Sequence, residues 1–235
     1  MIPIVAGGRI GWPTILFTRL SVRAAGGLLG GYRLAVELDI RPLTTETWPR
    51  LAALFEEGGD PRWCWCQFWH TSGFSANRAE QKAANRNRLQ ALAAAPVAPG
   101  LVALTGDGRA VGWVSLGPRE DFQRLERSRV RPRLDAVPVW SIVCFVVARR
   151  ARRQGVGARL LDAAIVFAAE HGAPALEAYP VDTSLGRPTG PTLYTGTLST
   201  FLRAGFHVAR EIDSPQATVA RSIVRLDLPP SPAPA

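Results

Sequence analysis

The sequence is poor in cysteine, in lysine and in long apolar runs, and each shortage excludes a class of protein. Three cysteines among 235 residues cannot build the disulfide framework of a small secreted protein, so the cytoplasm is the expected compartment. The single lysine, Lys82, is not part of a Gly-x-x-x-x-Gly-Lys-Ser/Thr motif, which excludes a phosphate-binding loop of that type. No apolar run approaches the roughly 20 residues of a membrane-spanning helix, so we do not expect an integral membrane protein.

The composition is that of a folded domain with a moderate positive charge. Hydrophobic residues make up 47% of the chain and include seven tryptophans and nine phenylalanines, enough to bury a sizeable core. The net charge is +9, but residues 1–33 contribute four arginines and no acidic residue. Because the excess on the rest of the chain is modest, nucleic acid is not the expected partner.

The two ends of the chain differ in composition from the middle. Residues 1–33 contain paired glycines and broken apolar stretches, and they lack the uninterrupted apolar segment of a secretory signal, so we expect a flexible or non-native extension there. Residues 229–235 are a tail of proline and alanine that cannot support regular hydrogen bonding, and we expect it to be disordered. One folded domain is predicted over residues 34–228.

Within this domain the hydrophobic period alternates between that of strands and that of helices. The strands are predicted over residues 35–40, 101–104, 110–116, 139–147, 175–178, 206–210 and 219–226. The helices are predicted from residue 48, over residues 76–94 behind a Ser75 cap, and over residues 155–170 and 199–203. Asp107-Gly108 is a strong hairpin signal between the second and third strands. This order predicts an α/β domain in which a mixed sheet of six to seven strands is flanked by about four helices.

The most informative stretch joins the buried strand at residues 139–147 to the helix at residues 155–170. A glycine-containing turn at a helix start leaves several main-chain N–H groups without partners, and the helix dipole adds positive potential there. Such a turn is suited to bind a pyrophosphate. Gly155 and Gly157 have no Cβ, so the main chain can come close to phosphate oxygens.

This stretch reads Arg152-Arg153-Gln154-Gly155-Val156-Gly157 and resembles the acetyl-CoA signature Arg/Gln-x-x-Gly-x-Gly/Ala of the GCN5-related N-acetyltransferase (GNAT) family. A similar ending to the family's last helix is found in Ala204-Gly205-Phe206. The resemblance implies a GNAT-like acyl-CoA N-acyltransferase fold and an acetyl-CoA-dependent N-acetyltransferase. In this family a primary amine of a small molecule or peptide attacks the thioester directly, without a metal, and homodimers are common.

The resemblance also implies which residues contact the co-substrate acetyl-CoA. Main-chain groups of Phe145, Val146 and Val147 hold the pantetheine arm. The pyrophosphate lies on main-chain N–H groups with two arginines adding charge, and these residues are Arg152, Arg153, Gln154, Gly155, Val156, Gly157 and Ala158. The arginines that either reach the 3′-phosphate or form a solvated face are Arg149, Arg150 and Arg159.

The catalytic acid and base are less clearly marked. The family's common acid is a tyrosine at the position of Phe201, which cannot donate a proton. Tyr194, just ahead of the last short helix, is the candidate acid for the thiolate; the alternative is a packed loop aromatic. Glu177 is the candidate base, with a pKa raised by burial, or else part of an exposed strand face. The weaker candidates are Ser199 for the acid and Asp182, Glu120 and Asp121 for the base.

The loop at residues 61–70 has the most unusual composition in the chain. Trp65 and Trp69 are predicted to wall the acceptor pocket; the alternative is a hydrophobic plug under the first two helices. Cys64, Cys66 and His70 do not have the spacing of a four-ligand zinc site, so no metal is expected.

Three hypotheses of function therefore stand. The prediction is an N-acetyltransferase whose partners are acetyl-CoA and an amine that the sequence does not identify. A catalytically weak acyl-CoA-binding regulatory module would keep the glycine turn without an acid, as Phe201 suggests. A nucleic-acid-binding domain would account for the arginine bias and would show strongly salt-dependent affinity.

Overall fold

A computed structural model describes residues 37–73, 75–184, 190–212 and 219–229. The expected extension at residues 1–33 lies outside this described part, as do residues 230–235 of the expected tail. All the elements discussed below fall within the predicted domain at residues 34–228.

A seven-stranded mixed sheet forms the centre of the fold. Its strands are β1 (Leu38–Pro42), β2 (Gly100–Thr105), β3 (Ala110–Pro118), β4 (Trp140–Val147), β5 (Ala175–Ala178), β6 (His207–Ile212) and β7 (Arg221–Asp227). The strand order is β1-β2-β3-β4-β5-β7-β6. Neighbouring strands run antiparallel except β4 and β5, which run parallel. The predicted mixed sheet of six to seven strands is confirmed.

Helices pack against the sheet and connect its strands. They are α1 (Trp48–Glu56), α2 (Pro61–Cys64), α3 (Arg78–Leu92), α4 (Gln123–Glu126), α5 (Val156–Glu170) and α6 (Leu198–Arg203). Short 3-10 helices span Arg119–Asp121, Arg149–Ala151 and Gly190–Thr195. Within the described ranges, no helix combines the length and the apolar character needed to cross a membrane.

Two helix details differ from the sequence prediction or add to it. The α3 cap is Asn77, whose side chain accepts from the N–H groups of Ala79 and Glu80, whereas the predicted cap Ser75 accepts from the N–H of Asn77. The α3 helix is tied to α1 by the only lysine of the chain, because Lys82 Nζ lies 2.9 Å from Glu56 Oε2.

The α5 helix packs directly on β3 because Gly112 has no side chain. A Cβ at residue 112 would lie 2.8 Å from Val156 Cγ1 and 2.9 Å from Leu160 Cδ1. Both of these side chains are buried in the core. The glycine therefore sets the height of the first turns of α5 above the sheet.

The β4 and β5 strands diverge, and this divergence positions the site. Their pairing begins with Trp140 opposite Leu176 and ends with Ile142 opposite Ala178. On the other side of β4 the register shifts, since Ser115 is opposite Cys144 and Leu116 is opposite Ile142, which leaves Val143 without a partner across from it. From Val143 onward, no strand of the described part pairs with the β5-facing edge of β4. A gap therefore opens beside the second half of β4.

Candidate active site

The turn after β4 exposes a row of main-chain donors. Arg153 and Gly155 have positive φ angles of 59° and 78°, and α5 begins directly afterwards at Val156. Within the described residues, the N–H groups from Gln154 to Ala158 have no hydrogen-bond acceptor. Because they lie at the positive end of the α5 dipole, they form a cradle for an anionic group.

Open space lies over both glycines of this cradle. A Cβ built on Gly155 or on Gly157 would meet no atom within 4 Å. The two positions differ in backbone conformation, since only Gly155 has a left-handed φ. A side chain at residue 157 would therefore fill the cradle without straining the backbone.

The arginines around the cradle divide into two groups. Arg152 folds back on β4, where its Nε donates to the main-chain oxygen of Val147 at 3.2 Å. Arg150 is ion-paired with Glu57 at 2.5 Å, and Arg159 donates to the main-chain oxygen of Leu38. Arg150 and Arg159 therefore stabilise the fold, and they are not free to bind a ligand without giving up these contacts. Arg149 and Arg153 are exposed.

A cavity of about 790 Å³ lies beside the unpaired edge of β4. Its walls come from β4, from the loop around α2, from the segment after α4 and from the 3-10 helix that precedes α6. The residues that line it are Asp60, Pro61, Cys64, Cys66, Phe68, Trp69, Ser72, Arg124, Arg127, Ser128, Arg131, Val143, Cys144, Val146, Tyr194, Thr195 and Arg221.

All three cysteines of the chain lie in this wall. Cys66 Sγ is 3.1 Å from Cys144 Sγ, and desolvation by burial raises the pKa of the Cys66 thiol well above its usual value. A hydrogen bond from Cys66 lowers the pKa of Cys64. Among the described residues, no group of three or more His, Cys, Asp or Glu side chains is placed to hold a metal ion.

Tyr194, the candidate acid from the sequence, lines the cavity. Desolvation by burial, with the negative charge of Asp60, raises its pKa to about 12. Its hydroxyl therefore keeps its proton at neutral pH. Phe201, at the position of the family's common acid, is fully buried and packs edge-on against Phe145 at 6.0 Å and Phe206 at 5.1 Å.

Glu177 does not lie in the cavity wall. Its side chain is 1% exposed, and its Oε2 accepts from Arg119 Nη1 at 3.3 Å and from the hydroxyl of Tyr179 at 3.4 Å. Burial raises the pKa of Glu177 against the opposing effect of Arg119. The structure thus does not bring Glu177 and Tyr194 to one surface.

The carboxylate among the described cavity-lining residues is instead Asp60, at the start of α2. Sequence analysis missed it because an aspartate before a proline indicates a helix start as readily as a site. Of the weaker candidates, Asp182 accepts two hydrogen bonds from Ser184. Asp121 is exposed, and partial desolvation of its carboxyl raises its pKa.

Arg119, which sequence analysis also missed, connects α4 and the segment after it to β5. Its side chain is 1% exposed, and all five of its N–H groups have acceptors. The acceptors are Glu126 Oε1, Glu177 Oε2, the Tyr179 hydroxyl and the main-chain oxygens of Leu125 and Arg131. Arg119 thereby fixes α4 and the segment after it against β5.

The two predicted pocket tryptophans have different surroundings. Trp69 lines the cavity, with its ring 6.4 Å from that of Tyr179. Trp65 is fully buried and packs against Trp48 at 5.7 Å and Phe55 at 5.4 Å. Trp65 is therefore a core residue in the described structure, and Trp69 is the aromatic wall.

Comparison with known families gives a match over more than half of the chain. The model of the acetyltransferase (GNAT) family matches residues 48–186. This range contains β4, the cradle and α5. A search of curated proteins finds no match.

Solved structures share the fold at low sequence identity. A GCN5-related N-acetyltransferase from Kribbella flavida is 20% identical with a TM-score of 0.50, covering 81% of this chain and 98% of that one. A structure from Corynebacterium glutamicum described as histone acetyltransferase HPA2 and related acetyltransferase is also 20% identical with a TM-score of 0.50, covering 83% and 97%. An agmatine N-acetyltransferase variant in its apo form is 14% identical with a TM-score of 0.50, covering 81% and 99%.

Proposed function

The chain belongs to the acetyltransferase (GNAT) family and is an acyltransferase, and from this premise we propose that it transfers the acetyl group of acetyl-CoA to a primary amine of a small molecule or peptide. The observation that carries the proposal is the cradle at Gln154–Ala158 next to the open edge of β4. The domain at residues 34–228 is the proposed catalytic unit.

The cradle fits the pyrophosphate of acetyl-CoA. Five successive N–H groups without acceptors in the described part supply hydrogen bonds, and the open space above Gly157 leaves room for phosphate oxygens. Main-chain groups of Phe145, Val146 and Val147 lie along the gap between β4 and β5, where an extended pantetheine arm fits. When bound, acetyl-CoA supplies an activated acetyl thioester.

The residues of the cavity then have distinct roles in the transfer. The amine nitrogen forms a bond to the acetyl carbon, the carbon–sulfur bond breaks, and the sulfur leaves as a thiolate. Tyr194, protonated at neutral pH, donates its proton to that sulfur. Asp60 takes the amine proton, directly or through one water, since it lines the same cavity as Tyr194. Glu177, the base expected from the sequence, lies behind the cavity wall in contact with Tyr179 and Arg119, and it is the alternative base.

The regulatory alternative keeps one specific observation in its favour. Phe201 places a ring without a proton donor at the position of the family's common acid. Under this alternative the protein binds acetyl-CoA and CoA with equal affinity and releases no thiol in the presence of amines. Turnover therefore separates the two functions.

Calorimetric titration with acetyl-CoA, CoA and NADH tests the proposal. We expect micromolar binding of acetyl-CoA and CoA, and no binding of NADH. The variant Gly157→Glu fills the cradle with a negative charge and should abolish this binding, because its backbone is compatible with a side chain.

The matched control is Gly73→Glu, which adds the same charge at another glycine with open space around it. It should leave the affinity unchanged. Undiminished binding to a folded Gly157→Glu variant would remove the cradle from the proposal.

A further inference from the structure

The cavity has a strongly basic wall. The charged residues that line it are Asp60, Arg124, Arg127, Arg131 and Arg221. Four guanidinium groups face one carboxylate. An acceptor with several positive charges would therefore be repelled from this wall, whereas an anionic group would be attracted.

Arg131 and Arg221 are both partly buried in this wall, and neither has a carboxylate partner. Among the described residues, no Asp or Glu oxygen lies within 4.0 Å of either guanidinium. Arg131 lies over the ring of Trp69 at 5.3 Å, and its Nε is buried without a hydrogen-bond partner. Arg221 donates to the hydroxyl of Thr195 at 3.2 Å.

Their electrostatic state is correspondingly unfavourable. Burial lowers the pKa of both arginines, and the charge of Arg221 lowers the pKa of Arg131 further. Both guanidinium groups line the same cavity, so two partly buried like charges share one space. An anion placed between them would relieve this repulsion.

Arg119 and Arg225, the two arginines that the described part of the chain buries more deeply than Arg131 and Arg221, are paired with carboxylates. Arg119 pairs with Glu126 and Glu177. Arg225 pairs with Asp135 and Asp227, at 2.5 and 3.0 Å. Where the fold itself buries a guanidinium in this way, it provides two carboxylates. The absence of any such carboxylate beside Arg131 and Arg221 indicates that their counter-ion comes with a ligand.

The place of this pair separates it from the pyrophosphate cradle. Arg131 contacts Trp69, whose ring is next to Tyr179 directly after β5. Tyr179 therefore lies where β4 and β5 begin to diverge. The cradle lies at the opposite end of the gap, after Val147, the last residue of β4. The six residues from Ile142 to Val147 span about 16 Å. The pair therefore faces the acceptor rather than the phosphates of CoA.

We propose that the acceptor is an amine that also carries an oxyanion, a carboxylate or a phosphate, and that Arg131 and Arg221 bind this oxyanion. The inference rests on the proposed function, because it places the amine in the acetyl-transfer cavity. A planar guanidinium can donate two parallel hydrogen bonds to either oxyanion, and the Arg131 guanidinium packs over the ring of Trp69.

Matched pairs of amines test the inference. The carboxylate arm compares β-alanine with propylamine, the phosphate arm compares O-phosphoethanolamine with ethanolamine, and agmatine represents a polycation. Thiol release with acetyl-CoA gives kcat/KM for each amine. Calorimetric titration of the same amines in the presence of CoA gives acceptor binding without turnover.

In the unmodified protein we expect the anionic member of at least one pair to be preferred by 10-fold or more. The variants Arg131→Gln and Arg221→Gln should each lower this preference by about 10- to 100-fold, mainly through KM, because each removes a charge-assisted hydrogen bond. The two residues lie on different parts of the fold, so one variant still tests the inference if the other variant does not fold.

The control is Arg129→Gln, which removes the same charge from the same exposed segment but not from the cavity lining. It should keep the preference. The inference would be overturned by equal kcat/KM for the anionic and the neutral amine of both pairs, or by a higher kcat/KM for agmatine. It would also be overturned if both Arg131→Gln and Arg221→Gln kept the preference for the anionic amine. The proposed function fails in a different way, since the unmodified protein would then give no heat with acetyl-CoA.

Discussion

Asp60 and Glu177 are both carboxylates near the cavity, but only Asp60 lies in its wall. We expect Asp60→Asn to lower kcat by about 100-fold or more, as loss of a general base does. Glu177→Gln should keep kcat within a few-fold and lower the free energy of unfolding by about 1–3 kcal/mol, because Arg119 loses a charged acceptor. Steady-state kinetics and denaturant unfolding of both variants measure these effects.

The control for this comparison is Asp182→Asn, a loop carboxylate bonded to Ser184, which should change neither quantity. The opposite result for Glu177, a large loss of kcat with stability intact, would identify it as the base acting through Tyr179.

His70 makes the stability of the protein depend on pH. Burial lowers its pKa to about 4, and its Nδ1 is 3.1 Å from the main-chain oxygen of Asp121. Between pH 6.5 and pH 4 the unfolded chain therefore binds a proton here that the folded chain does not. The free energy of unfolding should fall by about 3 kcal/mol across this window as the pH is lowered.

The variant His70→Asn keeps a donor for that carbonyl and removes the titration, so its unfolding should be less pH-dependent in this window. Urea unfolding at pH 7 and pH 4 measures the difference. His207→Gln, at an exposed histidine, should behave like the unmodified protein. Equal pH dependence in His70→Asn would contradict the assignment.

At the scale of elements, the contact between β3 and α5 connects packing to the cradle. Gly112→Ala places a methyl group within 3 Å of two core side chains, Val156 and Leu160. We expect it to lower the free energy of unfolding by about 1–3 kcal/mol and to weaken acetyl-CoA binding, because the first turn of α5 must move. Calorimetry and chemical unfolding measure both effects.

Gly117→Ala, in the same strand, is the matched control, since its nearest neighbours are 3.8 and 3.9 Å away. It should be close to neutral in both measurements. Normal acetyl-CoA affinity in a destabilised Gly112→Ala protein would show that α5 tolerates the shift.

The longer elements could be predicted from the sequence because each carries a clear period. The apolar run of β4 and the 15 residues of α5 are examples, and both were predicted to within a residue. The four-residue helices α2 and α4 were not predicted, because four residues do not establish a helical period. The α3 cap was misplaced by two residues since Ser75 and Asn77 are both good capping residues.

The residues of the candidate site could likewise be predicted only in part from the sequence. The cradle is contiguous in sequence, so a motif revealed it. Arg119, Arg131 and Arg221 lie on three separate segments, and in the sequence they are three arginines among many. What distinguishes them is the presence or absence of a carboxylate partner, which only the fold determines. Trp65 and Trp69 are likewise alike in sequence and differ in burial.

For the whole molecule, the domain prediction can be tested by truncation. Deleting residues 1–33 should leave the melting temperature and the acetyl-CoA affinity unchanged, because the described sheet and its helices begin at Leu38. Differential scanning calorimetry and titration of both proteins measure this. A lower melting temperature or weaker binding would show that the extension belongs to the catalytic unit.

The tie between α1 and α3 has a consequence for an enzyme that acetylates amines. The lysine in that tie is the only lysine side chain in the chain, and its ammonium group is held by Glu56. An ion-paired ammonium is a poor nucleophile, so the protein presents almost no side-chain amine to a thioester in solution. Acetylation of the protein's own lysine side chain should therefore add almost no amide product to the background when weak amine acceptors are followed over long incubations.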